Sequence, residues 1–299
     1  MDESAAVRAI WEPLGIPGIV DVHTHFMPKR VMDKVWQYFD AAGPLVGRTW
    51  PITYRTDEAD RLRTLRSFGV RAFTSLIYPH KPGMAAWLNQ WADQFASATP
   101  DCLATATFYP EPGAVDYVTA AIDGGTRVFK AHVQVGDYDP DAPHRVEQRV
   151  GGVVVAEARI PVVIHCGSGP QPGTHTGPGP IGTVLQRHPG LRLVVAHMGM
   201  PEYGEFFDLA EAYPEVRLDT TMAFTPFVEE SHPFPAADGP RLLALGDRIL
   251  FGSDFPNIPY GYLEAMRVLT EVNGVDDDWL RGVFHDNAAH LFSLATTAQ

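Results

Sequence analysis

Short apolar, β-branched runs recur along the chain. Each is followed by a stretch in which apolar residues return at helical spacing, a pattern that predicts repeated strand–helix units on a parallel sheet. Eight such runs can be counted, at 18–25, 69–78, 103–109, 126–135, 161–166, 191–197, 215–221 and 248–254. Their mean spacing is near the roughly 30 residues that one strand–helix–strand step takes. Eight parallel strands suit closure into an α/β barrel of the (β/α)8 type.

Punctuation marks the helices between them. Pro82 stands at an expected first turn before Met84-Ala-Ala-Trp-Leu-Asn89, and Gly124-Gly125 follow the apolar stripe of 114–123. Val146, Val150, Val153 and Val154 give 145–159 one apolar face, and 259–271 and 276–294 read as two closing helices. Two connections are longer than a compact domain needs, 26–56 after the first strand and 167–180 after the fifth. Long loops at the strand C-terminal rim usually shape a pocket. The second is too rich in Gly and Pro to hold regular structure.

At 299 residues the chain is somewhat longer than the roughly 250 of a typical single barrel, so one domain spanning 1–299 is expected. Lys and Arg total 23 against 36 Asp and Glu, a net charge of −13 that disfavours nucleic acid and anionic membrane as partners. Only Cys102 and Cys166 are present, without thiolate-site spacing, which favours a reducing compartment. With an acidic N-terminus and no run of about 18 apolar residues, a soluble cytoplasmic protein is expected. Exposed loop aromatics such as Trp36 or Trp50 could serve a homodimer.

The candidate chemistry sits at the ends of the apolar runs. His23 and His25 close the first, His165 the fifth, His197 the sixth and Asp254 the eighth. Side chains two apart on a strand point the same way, so His23 and His25 can grip one ion, and His165 and Asp254 can complete a zinc-like shell of imidazole and carboxylate. Any one of these histidines alone would read as hydrogen-bonded core. Asp254 could merely cap a helix started by Pro256. His197 reads as a further ligand or, preferably, as an acid or base acting on substrate. Asp21 lies one layer deeper on the same face, where hydrogen bonding behind the ligands or within the core is expected rather than ligation. On the fourth strand Lys130, His132 and Gln134 share a face. If that face points inward, Lys130, His132 and Gln134 line the pocket, and a buried lysine needs a charge partner (a substrate carboxylate, a neighbouring acid or a metal) or a lowered pKa; the alternative is an outward surface lysine. His80 is a rim candidate, while His144, His188, His232, His285 and His290 read as surface residues.

Asp21-Val-His-Thr-His25, Val163-Ile-His165-Cys-Gly167, Val195-Ala-His197-Met-Gly199 and Leu250-Phe-Gly-Ser-Asp254-Phe-Pro256 together resemble the amidohydrolase superfamily, and within it the branch that includes aminocarboxymuconate-semialdehyde decarboxylase. Asn287-Ala-Ala-His-Leu-Phe292 is similar to that branch's C-terminal helix, so the resemblance runs from 18 to 294. It implies a distorted barrel with one divalent ion, usually zinc with manganese as an alternative, held by His23, His25, His165 and Asp254. His197 would assist the chemistry. Two-metal members bridge their ions with a carboxylated lysine on the fourth strand, where Lys130 falls. Some decarboxylases of the branch hold a substrate carboxylate with an arginine after strand one, and Arg48 and Arg55 lie in that loop outside any specific motif. The expected activity is metal-dependent hydrolysis of a small amide, lactone or ester, with nonoxidative decarboxylation of an unsaturated or aromatic acid as the alternative. A barrel that binds metal or ligand without turnover is the reading from another class.

Overall fold

The computed structural model describes residues 2–140 and 154–295. Nine strands are present among them: β1 Ile19–Asp21, β2 Val70–Thr74, β3 Cys102–Leu103, β4 Thr105–Thr107, β5 Val128–His132, β6 Val162–His165, β7 Leu193–Val195, β8 Val216–Asp219 and β9 Ile249–Leu250. Each of the eight expected runs contains one, and β3 is a short extra piece at the edge of the third. The chain folds as two compact units, one made of the residues up to Phe73 and those from Asp219 onward, the other of Thr74–Leu218.

In the first unit β1 and β2 are parallel, with Val20 opposite Ala72 and Asp21 opposite Phe73. Beyond β1 the chain stays extended beside the segment that follows β9. Val22 N donates to Phe251 O at 3.0 Å, Asp254 N to His23 O at 2.8 Å and His25 N to Phe255 O at 2.7 Å. Thr220 N, just past β8, donates to Leu250 O at 2.9 Å. These ladder bonds set three chain segments side by side at the strand ends, and each brings polar residues to that rim. His23 and His25 therefore lie just past the strand proper, where their backbone is still held by the neighbour.

The helix Glu58–Phe68 precedes β2. Asp57 caps it by accepting from Asp60 N at 2.7 Å, and Gly69 ends it at φ +87°. The long connection after β1 differs from expectation. It contains the helix Lys29–Ala41, with Met32 and Trp36 buried, because Met32, Val35, Trp36 and Phe39 fall on one helical face. Trp36 and Trp50 are not exposed either. Their indole N–H groups donate to Asn257 Oδ1 at 3.0 Å and to Asn257 O at 2.7 Å, inside the unit. The dimer expectation loses these two residues as support.

In the second unit β4, β5, β6, β7 and β8 form a parallel sheet in that order. Helices Ala85–Ala98, Ala114–Asp123, Pro178–Arg187 and Tyr203–Ala212 belong to the same unit. Its strands are buried on both faces, Val128, Phe129 and Lys130 alike, as parallel strands covered by helices must be. Pro82 lies outside the helix it was expected to start, which begins at Ala85. Gly124 does cap its helix. Of the stripe in 145–159, Val146, Val150 and Val153 lie outside the described residues, as does His144. The closing segment runs from Asp277 to Leu291 with a π-helical turn at Gly282–Asp286. No helix among the described residues is long and apolar enough to cross a membrane.

Candidate metal centre

His23, His25 and Asp254 meet in the first unit, with one ligand atom from each lying within 4.8 Å of the others, and all three are buried. His25 Nε2 is 2.9 Å and His23 Nε2 is 3.8 Å from Asp254 Oδ1. Two ligands about 2.05 Å from a tetrahedral zinc ion are separated by about 3.3 Å. The observed separations bracket that value, so a small ion fits with ångström-scale adjustment. The donor set, two imidazoles and a carboxylate, is one that zinc accepts while leaving a position open.

Asp254 reaches this place through a left-handed backbone, φ 67°, which a short polar side chain tolerates better than most. Asn257 N donates back to Asp254 O at 2.8 Å, closing the turn. The next helix begins only at Tyr262 with Gly261 at its N-cap, so Asp254 does not cap it.

Behind the triad lie two further carboxylates. Asp21 accepts from His23 N at 3.1 Å, Ser253 N at 3.1 Å, Ser253 Oγ at 2.6 Å and Tyr262 Oη at 2.9 Å. Burial pushes it up to about 7 against the pull of those bonds. Asp219, at the end of β8, places Oδ2 2.9 Å from His23 Nδ1 and accepts from Thr221 N at 3.1 Å through Oδ1. Asp219 is not among the residues that the sequence marks for the site. Its only signal was a carboxylate closing the apolar run Val216-Arg-Leu-Asp219, the same signal that marked Asp254.

The second unit gathers the other imidazoles. His132 and His165 are register partners on β5 and β6, and their rings stack at 4.1 Å and 10°. His165 meets His197 edge-on at 4.7 Å, and the Tyr78 ring lies 4.9 Å from that of His132. His165 Nε2 is 3.1 Å from Gly169 O. A carbonyl only accepts, so Nε2 carries the proton and Nδ1 presents the lone pair. His197 and Met198 both have left-handed backbones, φ 55° and 53°, a strain that tends to collect at functional positions. Lys130 is fully buried on β5. Burial pushes the Cys166 thiol up, and the charge of Lys130 offsets part of that.

The two loop arginines are engaged within the first unit. Arg48 bonds Phe227 O, pairs with Glu230 at 2.9 Å and lies 4.0 Å over the Phe227 ring. Arg55 makes a two-pronged pair with Asp40, at 2.6 and 2.9 Å. His285, expected at the surface, is buried. It donates from Nδ1 to Asp286 at 2.6 Å and accepts from Arg71 at Nε2, 3.2 Å, bonds that satisfy both ring nitrogens and make burial tolerable.

Residues 20–294 match a family model described as amidohydrolase. No curated protein matches the chain. Among solved structures, an uncharacterised TIM-barrel protein of Bordetella bronchiseptica is 20% identical with a TM-score of 0.70, covering 92% of this chain and 98% of its own. An amidohydrolase of Burkholderia multivorans solved with bound zinc is 16% identical at a TM-score of 0.64, covering 93% and 99%. A protein of Pseudomonas putida named as a 2-pyrone-4,6-dicarboxylic acid hydrolase is 15% identical at 0.62, covering 93% and 98%. At these identities the likeness shows the fold alone, an α/β chain of TIM-barrel type.

Proposed function

The chain belongs to the amidohydrolase family, and from that premise we propose that it hydrolyses a small amide, lactone or ester with the help of a divalent ion, zinc first among the candidates. The observation that carries this reading is the convergence of His23, His25 and Asp254. His23 Nε2, His25 Nε2 and Asp254 Oδ1 would hold the ion. The chemistry such an ion supplies is polarisation of a carbonyl and a lowered pKa for water.

The protein's own groups have separate tasks. His25 and His23 would supply nitrogen donors from a segment whose backbone is pinned on the β9 side. Asp254 has a second carboxylate oxygen beyond the one turned to the imidazoles, and with it can take a proton and return it to a leaving group. His197 is assigned the stabilisation of charge developing on the substrate, a role for which a buried, backbone-strained imidazole is suited.

A cyclic ester is a sensible first substrate, given the Pseudomonas protein's name. The test combines elemental analysis with an assay. Wild-type protein is expected to carry a divalent ion and to release a new acid group from lactones or esters, and His25→Ala to lose both ion and activity. His197→Asn should keep the ion and lose turnover. A metal-free active wild type would overturn the proposal, and carbon dioxide released without a new acid group would move it to decarboxylation.

A further inference from the structure

We propose that Asp219 is a positioning residue for ion binding, one that fixes the ring orientation and proton placement of His23, and that Gly252 exists to make room for the pair. This rests on the metal-site reading above and adds to it a residue outside the ligand group.

His23 and Asp219 are both buried, with side-chain exposures of 1% and 0%. At 2.9 Å the carboxylate oxygen accepts, so the imidazole proton sits on Nδ1. In the neutral ring the lone pair is then on Nε2, the atom 3.8 Å from Asp254 Oδ1. Left without this acceptor, the ring is free to carry its proton on Nε2, where it would block the ion, or to swing about its own axis. Asp219 cannot turn either, because Thr221 N donates to its other oxygen at 3.1 Å. The ring is therefore held from two sides, by the backbone of the segment after β1 and by a carboxylate from β8 that is itself held.

Gly252 supplies an independent observation. A Cβ on it would lie 2.2 Å from Thr221 Oγ1, 2.8 Å from His23 Cβ and 3.4 Å from Asp219 Cγ. The first two distances are closer than atoms of real side chains approach. Its φ is outside the left-handed region, so conformational freedom is not what the position demands. What it demands is close approach, with the missing side chain letting Asp219 and Thr221 of the same unit lie directly against His23. An added methyl group pushes apart the two residues whose separation sets the hydrogen bond.

The experiment measures zinc affinity by competition with a chelator for wild type, Asp219→Asn and Gly252→Ala. Each is paired with a thermal melt of the metal-free protein and with imidazole nitrogen and proton spectra of zinc-loaded wild type. Both variants are expected to bind zinc about ten- to a hundredfold more weakly. The wild-type spectrum should show a slowly exchanging Nδ1 proton on His23, absent in His23→Gln. A purely structural role would lower the melting temperature and leave the affinity of the folded protein unchanged, and that result overturns the inference. So does a loaded wild type whose His23 proton is on Nε2, a readout that needs neither Asp219→Asn nor Gly252→Ala to fold. Wild-type protein that binds no divalent ion overturns the metal reading and this inference together. Normal wild-type binding with unchanged variants overturns this inference alone.

Discussion

His25 Nε2 and Asp254 Oδ1 lie 2.9 Å apart, in hydrogen-bond contact at a spot where a shared ion would hold them slightly further away. Binding of an ion there would replace one buried polar contact by bonds to the metal without unfolding anything. An ion at a hundred times its dissociation constant stabilises a folded chain by about 2.7 kcal/mol. For a chain of this size that is expected to raise the melting temperature by about 5 °C. The zinc-dependent shift should vanish in His25→Ala and Asp254→Ala, and scanning calorimetry with and without chelator reads it directly.

Asn257 ties the long connection after β1 to the segment that carries Asp254. Its side-chain oxygen accepts from Trp36 Nε1 at 3.0 Å, and the residue is buried. Asn257→Ala leaves that indole N–H without its acceptor, which is expected to cost about 1–3 kcal/mol. The backbone carbonyl that accepts from Trp50 survives the change. Denaturant titration followed by tryptophan fluorescence checks both points, and a variant as stable as wild type would contradict them.

These tryptophans also show where sequence reading stops. His23, His25 and Asp254 were legible because a polar residue closing an apolar strand stands out against its neighbours. The strands themselves were legible because burial on both faces leaves unbroken apolar runs. Trp36 and Trp50 were not, since an aromatic in an irregular stretch reads the same whether it faces solvent or packs inward, and the helix Lys29–Ala41 that buries Trp36 lay inside what read as a loop. His285 was misplaced for a related reason. Its partners Arg71 and Asp286 come from β2 and from its own turn, and only the fold brings Arg71 within reach. Asp219 escaped because its meaning depends on which ring it touches.

Gly69 offers a test of how tightly the N-terminal helix Glu3–Trp11 is seated. A Cβ there would lie 2.2 Å from Trp11 Cζ2, at a φ of +87° that L side chains rarely adopt. Trp11 Nε1 also donates to Phe68 O at 2.9 Å, so the ring has little freedom to retreat. Gly69→Ala combines backbone strain with overpacking and is expected to destabilise by about 2–4 kcal/mol. Chemical denaturation measures this, and a loss under about 0.5 kcal/mol, smaller than either effect alone, would show that the helix moves aside.

Glu215 gives the chain a pH dependence whose sign can be worked out. Burial alone would raise its carboxyl. The hydrogen bond and charge of Arg159, followed by the charges of Arg217 and Arg192, outweigh burial and hold it below the usual carboxylate range. The distances are 2.8 Å to Arg159 and 3.6 Å each to Arg192 and Arg217. A group whose folded pKa is depressed contributes stability that is fully present above its unfolded value, 4.5, and is lost as pH falls through the lower folded value. Arg159 is about half exposed, so solvent screening limits the contribution to about 1 kcal/mol or less. Glu215→Gln is therefore expected to be less stable than wild type by about that amount at neutral pH. The gap should close as the pH drops below the carboxylate range, and it should shrink in high salt. Urea denaturation across a pH series checks the sign, because a gap that widened toward acid would mean that burial outweighs the three arginines and raises the carboxyl.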